Sequence, residues 1–125
     1  MTYGAALLSH YRAPRNFGAL EDADATHEEL NPLCGDRIRM SVRVRDGRLD
    51  AVRFRGDACA IAVASASILT ELVTGLAASQ AEAIGDAAVL PALETDIPPS
   101  RLPCVRLPIE ALRGALRLTL GAGNL

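Results

Sequence analysis

Between Arg37 and Arg55 the chain alternates with period two. Ile38, Met40, Val42 and Val44 are separated by Arg39, Ser41 and Arg43, and Val52 and Phe54 flank Arg53 beyond an Asp46-Gly47 turn signal. This pattern predicts an antiparallel hairpin with one apolar and one arginine-rich face. Two registers compete. A two-residue turn at Asp46-Gly47 pairs Val44 with Leu49 and Val42 with Ala51, which puts Val52 and Phe54 on the arginine face. A three-residue loop, Asp46-Gly47-Arg48, pairs Val42 with Val52 and Met40 with Phe54 and keeps one face apolar, so the longer, bulged loop is expected.

The rest of the chain reads as helices joined by short breaks. Tyr3, Ala6, Leu7, His10 and Tyr11 recur at helical spacing over residues 3–12, and Pro14 and Asn16-Phe17-Gly18 end that pattern. Residues 19–31 are acidic and weakly patterned, with an edge strand near Ala23–His27. From Cys59 to Gly75, Ile61, Ile68, Leu69, Leu72, Val73 and Leu76 give a broad apolar helical face, with Gly75 as the stop. Ser79-Gln80-Ala81-Glu82 has capping-box spacing for a short helix, and another covers Ala87–Leu93. Ile97-Pro98-Pro99 is extended. A last helix runs from near Cys104 or Pro108 to about Leu120, with Leu112, Leu116 and Leu120 on one face.

The chain is 125 residues long, 50% hydrophobic and 22% charged, which fits one globular domain over 1–125. Aromatics are only 3%, so the core is aliphatic. A net charge of −2 and no aromatics between the arginines make the arginine stripe a solvated sheet face rather than a nucleic-acid surface. All 13 basic side chains are arginine, which excludes lysine Schiff-base and lysine general-base chemistry. No apolar stretch approaches a membrane span, and Ala5–Leu8 is too short for a secretion signal. Three cysteines cannot all pair within one chain, so a reducing cytoplasm is the expected compartment.

Those cysteines carry the chemistry. They stand in Asn31-Pro32-Leu33-Cys34-Gly35-Asp36, Gly56-Asp57-Ala58-Cys59 and Arg101-Leu102-Pro103-Cys104, each beside a predicted strand end or helix start. Free cysteines are often merely buried small hydrophobes. Here three thiols with one carboxylate, Asp36, suit tetrahedral zinc or iron held through cysteine sulfur. Gly35 lets the backbone turn so that Cys34 and Asp36 can reach one ion. A helix start favours the thiolate at Cys59, and at Cys104 nearby Arg101 and Arg106 add to the effect. Pro98, Pro99 and Pro103 are expected to hold Cys104 out from the core, with Cys34 and Cys59 more constrained. His10 reads as a packing residue and His27 as a surface residue. With neither near a cysteine motif, a Cys-His hydrolase is not expected.

In this order the motifs resemble the U-type iron–sulfur cluster scaffold family, comprising IscU, SufU and the N-terminal domain of NifU. His10-Tyr11-Arg12-Ala13-Pro14-Arg15-Asn16-Phe17-Gly18 is similar to its opening segment. The three cysteine motifs stand in its ligand order, with Ala64-Ser65-Ala66-Ser67 and Thr70 to Gly75 following the second. The resemblance implies an α+β domain with a small antiparallel sheet of about three strands packed against helices. It implies Cys34, Cys59 and Cys104 as ligands with Asp36 as a labile fourth. It implies a [2Fe-2S] cluster assembled there with sulfur from a cysteine desulfurase and passed to apo iron–sulfur recipient proteins, with zinc an occupant in isolated protein. Cys104 is the expected persulfide acceptor. A SufU-like, zinc-dependent sulfur acceptor is the alternative, and a zinc-stabilised interaction domain a third reading. Pro103 replaces the histidine of IscU-type scaffolds, and Ile97-Pro98-Pro99-Ser100-Arg101 replaces Leu-Pro-Pro-Val-Lys. Both weigh against release assisted by an Hsp70-type chaperone.

Overall fold

The computed structural model describes residues 2–123, with side chains described through Thr119. Its elements run α1 (Ala5–Arg12), β1 (Ala25–Leu30), β2 (Arg37–Arg45), β3 (Arg48–Asp57), α2 (Ala60–Val73), α3 (Ala78–Glu82), α4 (Asp86–Leu93), a 3-10 turn (Pro99–Arg101) and α5 (Leu102–Gly123). The strands form one antiparallel sheet in the order β1-β2-β3. Helices cover one face, α5 lying across β1 and β2 and α2 lying against β3, α1 and α5. The α+β architecture expected from the resemblance is the one observed. No helix among the described residues is long and apolar enough to cross a membrane.

The hairpin resolves its two registers in an unexpected way. Met40 pairs with Phe54 and Val42 with Val52, as expected, yet Val44 also pairs with Leu49 and Arg45 with Arg48. The turn is therefore the two-residue Asp46-Gly47, both residues at positive φ (54° and 74°), the backbone a primed turn demands. The extra residue sits in β3 as a bulge between Leu49 and Ala51, at Asp50, and not in the loop. The Asp50 carboxylate accepts from Arg43 Nε at 2.7 Å. Ile38, Met40, Val42, Leu49, Val52 and Phe54 are all buried beneath the helices.

Helix α2 is the centre of the core, with every residue from Ile61 to Thr70 buried. Its alanines and serines let neighbours approach closely, and its hydroxyls anchor the N-terminal segment. Arg15 N donates to Ser67 Oγ at 2.8 Å, Asn16 Nδ2 donates to Thr70 Oγ1 at 3.1 Å, and His10 Nδ1 meets Ser67 Oγ at 2.7 Å. Burial, with Arg15 nearby, lowers the His10 pKa against the opposing pull of Glu71. That is the packing role read for His10. Asn16 and Gly18 then pair with Phe54, and the Phe17 ring meets Phe54 edge-on at 5.2 Å.

Several expectations shift by local chemistry. The edge strand is Ala25–Leu30 rather than Ala23–His27. The short helix closes through Gln80 Oε1 accepting from Ala77 N at 3.2 Å, not through the pair Ser79 and Glu82. The last helix starts at Leu102 and runs through Pro108. Leu112 and Leu116 are buried as read, while the Leu120 side chain lies outside the described residues. His27 is only partly a surface residue, its side chain 35% exposed. Its ring packs against Gly114 of α5, and its Nε2 stands 2.8 Å from Glu29 Oε1.

That last contact makes a testable prediction. In an exposed helix Ala is better than Gly by about 1 kcal/mol. At position 114, however, an added Cβ would collide with the His27 ring, and overpacking costs about 1–3 kcal/mol. Gly114→Ala is expected to lower the melting temperature by several degrees. In the His27→Ala background the same substitution should be neutral or stabilising, which a double-mutant cycle of thermal melts checks.

Candidate metal centre

The site gathers at one end of the sheet. β2 begins at Arg37 and β3 ends at its partner Asp57, so the residues just outside that pair, Asp36 and Ala58-Cys59, leave the sheet together. Gly56 is required there, because a Cβ at this position would strike the Arg37 carbonyl and the Ile38 side chain. Cys59 is the N-cap of α2, with extended backbone (φ −66°, ψ 165°) and its carbonyl accepting from Val63 N at 3.0 Å. Cys104 lies in the first turn of α5.

Asp36, Cys59 and Cys104 each offer one donor atom within 4.8 Å of the other two. Donors around a tetrahedral zinc stand about 3.3–3.8 Å apart, so a small contraction would bring these three onto one ion. Asp36 Oδ2 is buried without a hydrogen-bond partner among the described residues. An unpartnered buried carboxylate oxygen costs free energy unless something cationic meets it. With the two sulfurs within 4.8 Å of one of its oxygens, the Asp36 carboxylate fits a soft-and-hard donor set for zinc or iron.

The remaining expected ligand stands apart. Cys34 is exposed at the tip of the loop joining β1 to β2 and is not within the cluster. The loop is tied at its base by Asn31 N to Asp36 O and Gly35 N to Asn31 O, both 2.8 Å. Gly35, at φ 78° with nothing within 4 Å of a notional Cβ, leaves the tip unpacked.

The accessibility expected of the cysteines is reversed. Cys104 is buried, only 6% exposed, Cys59 is half-buried and Cys34 is exposed. The prolines stiffen the approach to Cys104, but α5 begins at Leu102 and carries the thiol inward, onto the apolar cluster with Val105 and Leu107. The expected thiolate at Cys59 is also opposed. Burial pushes its thiol up to about 11, against the favourable Ala62 N–H, and Asp36 and Cys104 push the same way. The helix terminus is outweighed by desolvation and by neighbouring groups of the same sign.

One cation serves both sulfurs. The Arg101 guanidinium lies close enough to Cys104 and, next, to Cys59 for their attraction to raise its own pKa further. Sequence proximity suggested its link to Cys104, and the link to Cys59 is a tertiary result. Arg106, also expected near Cys104, turns instead to Asp86, with Nη2 to Oδ2 at 3.0 Å.

The raised Cys59 pKa has a pH consequence. A thiol that ionises near 9.0 in the unfolded chain and near 11 in the metal-free fold contributes fully below pH 9. That contribution is lost as pH rises toward 11. Metal requires the thiolate, so loading reverses the preference and releases protons. Metal-free protein is therefore expected to lose stability in denaturant melts between pH 8 and 10.5. Zinc, or Cys59→Ser, should flatten that loss. A strong chelator should lower the melting temperature at pH 8, and zinc should restore it.

Comparison with known proteins places the chain among named relatives and solved folds. Residues 2–118 match the family model of the NifU-like N terminal domain. The chain is 35% identical over 114 residues to the iron-sulfur cluster assembly scaffold protein IscU 1 of Archaeoglobus fulgidus, covering 91% of this chain and 74% of that one. It is 32% identical over 123 residues to the scaffold protein IscU of Escherichia coli K12, covering 93% and 92%. Among solved structures, the SUF-system protein FiSufU of Fervidobacterium islandicum AW-1 superposes with a TM-score of 0.78 at 22% identity, covering 91% and 96%. The N-terminal NifU-like protein of Brucella abortus does so with 0.77 at 20%, covering 94% of each. At these identities the two structures speak for the fold alone.

Proposed function

The chain belongs to the NifU-like N-terminal family, and from that premise we propose that it is an iron–sulfur cluster assembly scaffold. It holds iron through Asp36, Cys59 and Cys104, receives sulfur from a cysteine desulfurase, and passes a [2Fe-2S] cluster to apo-proteins. The observation that carries the reading is the three donor atoms of Asp36, Cys59 and Cys104 within 4.8 Å of one another, on a carboxylate whose Oδ2 is buried without a hydrogen-bond partner among the described residues. Cys34 completes the set when its unpacked loop folds over the site. The cluster is cargo, so the ligand set must hold it and also let it go. Three thiolates bind soft iron firmly, and one carboxylate is the weaker ligand through which it leaves. A cluster on four anionic ligands is itself anionic, and Arg101 offsets that charge.

Sulfur arrives at Cys104 in this scheme. Its thiolate, paired with Arg101, attacks the terminal sulfur of the donor persulfide. The donor S–S bond breaks, and the desulfurase thiolate leaves. Because Cys104 is 6% exposed, this step needs the site to open. Mass spectrometry after incubation with a cysteine desulfurase and cysteine should place the added sulfur mainly on Cys104, and Cys104→Ser should abolish it. An added sulfur confined to exposed Cys34 would move the acceptor role there.

The decisive experiment is anaerobic reconstitution with ferrous iron and sulfide, followed by metal and acid-labile sulfide analysis. A visible-absorbing cluster with equimolar iron and sulfide is expected. Colourless protein holding only zinc, and stimulating a desulfurase, would establish the zinc-dependent sulfur acceptor instead. Asp36→Ala should keep the fold and lengthen the lifetime of a bound cluster, slowing transfer to an apo-ferredoxin about tenfold. Transfer at the unaltered rate would remove Asp36 from the release step.

A further inference from the structure

The outer face of the sheet carries more unmatched positive charge than a solvated surface needs. Register places Arg39 of β2 directly opposite Arg55 of β3, and like charges in that position repel. Toward the turn end of the hairpin two arginines meet carboxylates. Arg43 meets Asp50 at 2.7 Å, and Arg45 meets Asp24 at 3.0 Å. Arg39 has only a long contact, 3.8 Å to Glu28, and no ion pair is found for Arg55 among the described residues.

The same two arginines line a depression of about 220 Å³. Its floor is completed by the hydroxyl pair Thr26 and Ser41, whose oxygens stand 2.9 Å apart. Its rim is the chain at 18–20, where it leaves the β3 edge on its way to β1. Arg53 holds this rim by donating to Ala19 O at 3.3 Å, adding a third positive charge nearby. No carboxylate among the described residues lines the depression. Glu28 and Asp57 line only the adjoining hollow of about 200 Å³ on the other side of the Arg39 and Arg55 side chains. Two guanidinium forks, two hydroxyls and no acid are a donor-rich arrangement suited to a compact oxyanion of more than one charge.

We infer that this depression is a binding site for a phosphate group, gripped between Arg39 and Arg55 on the face opposite the helices. It is independent of the metal centre and of the scaffold reading. A bound dianion removes the cross-strand repulsion, so occupancy stabilises the sheet.

The test is a titration of the whole protein with inorganic phosphate and pyrophosphate at constant ionic strength, read by NMR at the arginine Nε–Hε signals and the amides of residues 18–20. Saturable shifts confined to Arg39, Arg55 and the rim are expected, pyrophosphate binding more tightly. Arg55→Gln should weaken binding about tenfold or more, and Arg45→Gln should leave it unchanged. Co-sedimentation with vesicles containing phosphatidate, lost in Arg55→Gln, would assign the phosphate to a lipid headgroup. Shifts with soluble phosphates and no co-sedimentation would assign it to a soluble compound. Shifts reproduced by sodium chloride, spread over all the arginines, or retained in Arg55→Gln would overturn the site.

Discussion

The register between β2 and β3 is the constraint on which both the core and the metal centre depend. Side chains alternate faces along a strand, so slipping one residue would expose Met40, Val42 and Phe54 and bury arginines. The bulge at Asp50 makes the register possible. It joins the two-residue turn to the one pairing that keeps Val52 and Phe54 inside. The same register sets Arg37 against Asp57, so Asp36 and Cys59 leave the sheet side by side. A slip would therefore undo the core and separate the ligands together.

The metal centre adds a second constraint, set by dielectric rather than by pairing. Its donors sit at the rim of an aliphatic core, where an uncompensated carboxylate or thiolate is costly. Without metal, the protein relieves this by keeping the Cys59 thiol protonated and by holding Arg101 against both sulfurs. Metal relieves it more fully, because the ion meets thiolates and carboxylate at once. Chain segments far apart in sequence meet here only in the folded state, so loading the site and stabilising the fold are one free-energy change. The weak point is the loop at Asn31–Asp36. Its base is hydrogen-bonded, yet its tip, with Leu33 95% exposed and Cys34 beside it, is hardly packed at all. The loop is thus anchored at Asp36 and loose at Cys34, so Cys34 could move without disturbing the sheet.

Sequence pattern carried the architecture far and the site only part of the way. The alternation from Ile38 to Phe54 admits one pairing with a single apolar face, so the cross-strand partners were legible. Where the extra residue goes was not, because a longer loop and an in-strand bulge satisfy that pattern equally. The candidate donors were legible as three cysteines and Asp36, each near an element end, and the fold brings Asp36, Cys59 and Cys104 together. Their exposure was not legible. Proline fixes φ and removes a donor, but it does not say toward which side the next helix turns, and α5 turns Cys104 inward. The two arginines near Cys104 were equivalent in sequence. Only the fold distinguishes Arg101, facing the sulfurs, from Arg106, drawn to Asp86. His27 reads as a surface residue in sequence, and its packing against α5 depends on Gly114, 87 positions away.

The outward side of the hairpin follows from the inward side. Each buried residue of β2 and β3 forces its neighbours to face away, and this chain fills most of those positions with arginine. In a protein whose net charge is −2, such a concentration must be offset elsewhere. Asp24 and Asp50 neutralise the turn end of the hairpin, where the bulge and the tight turn need quiet electrostatics. The middle of the face, where Arg39 opposes Arg55, is left with an excess that water alone must screen. Repulsion there is tolerable only because α2 and α5 hold the opposite face with nearly every apolar side chain of the sheet. The helices thus stabilise a charged surface they never touch, much as they bring the two sulfurs of Cys59 and Cys104 to the sheet's end beside Asp36.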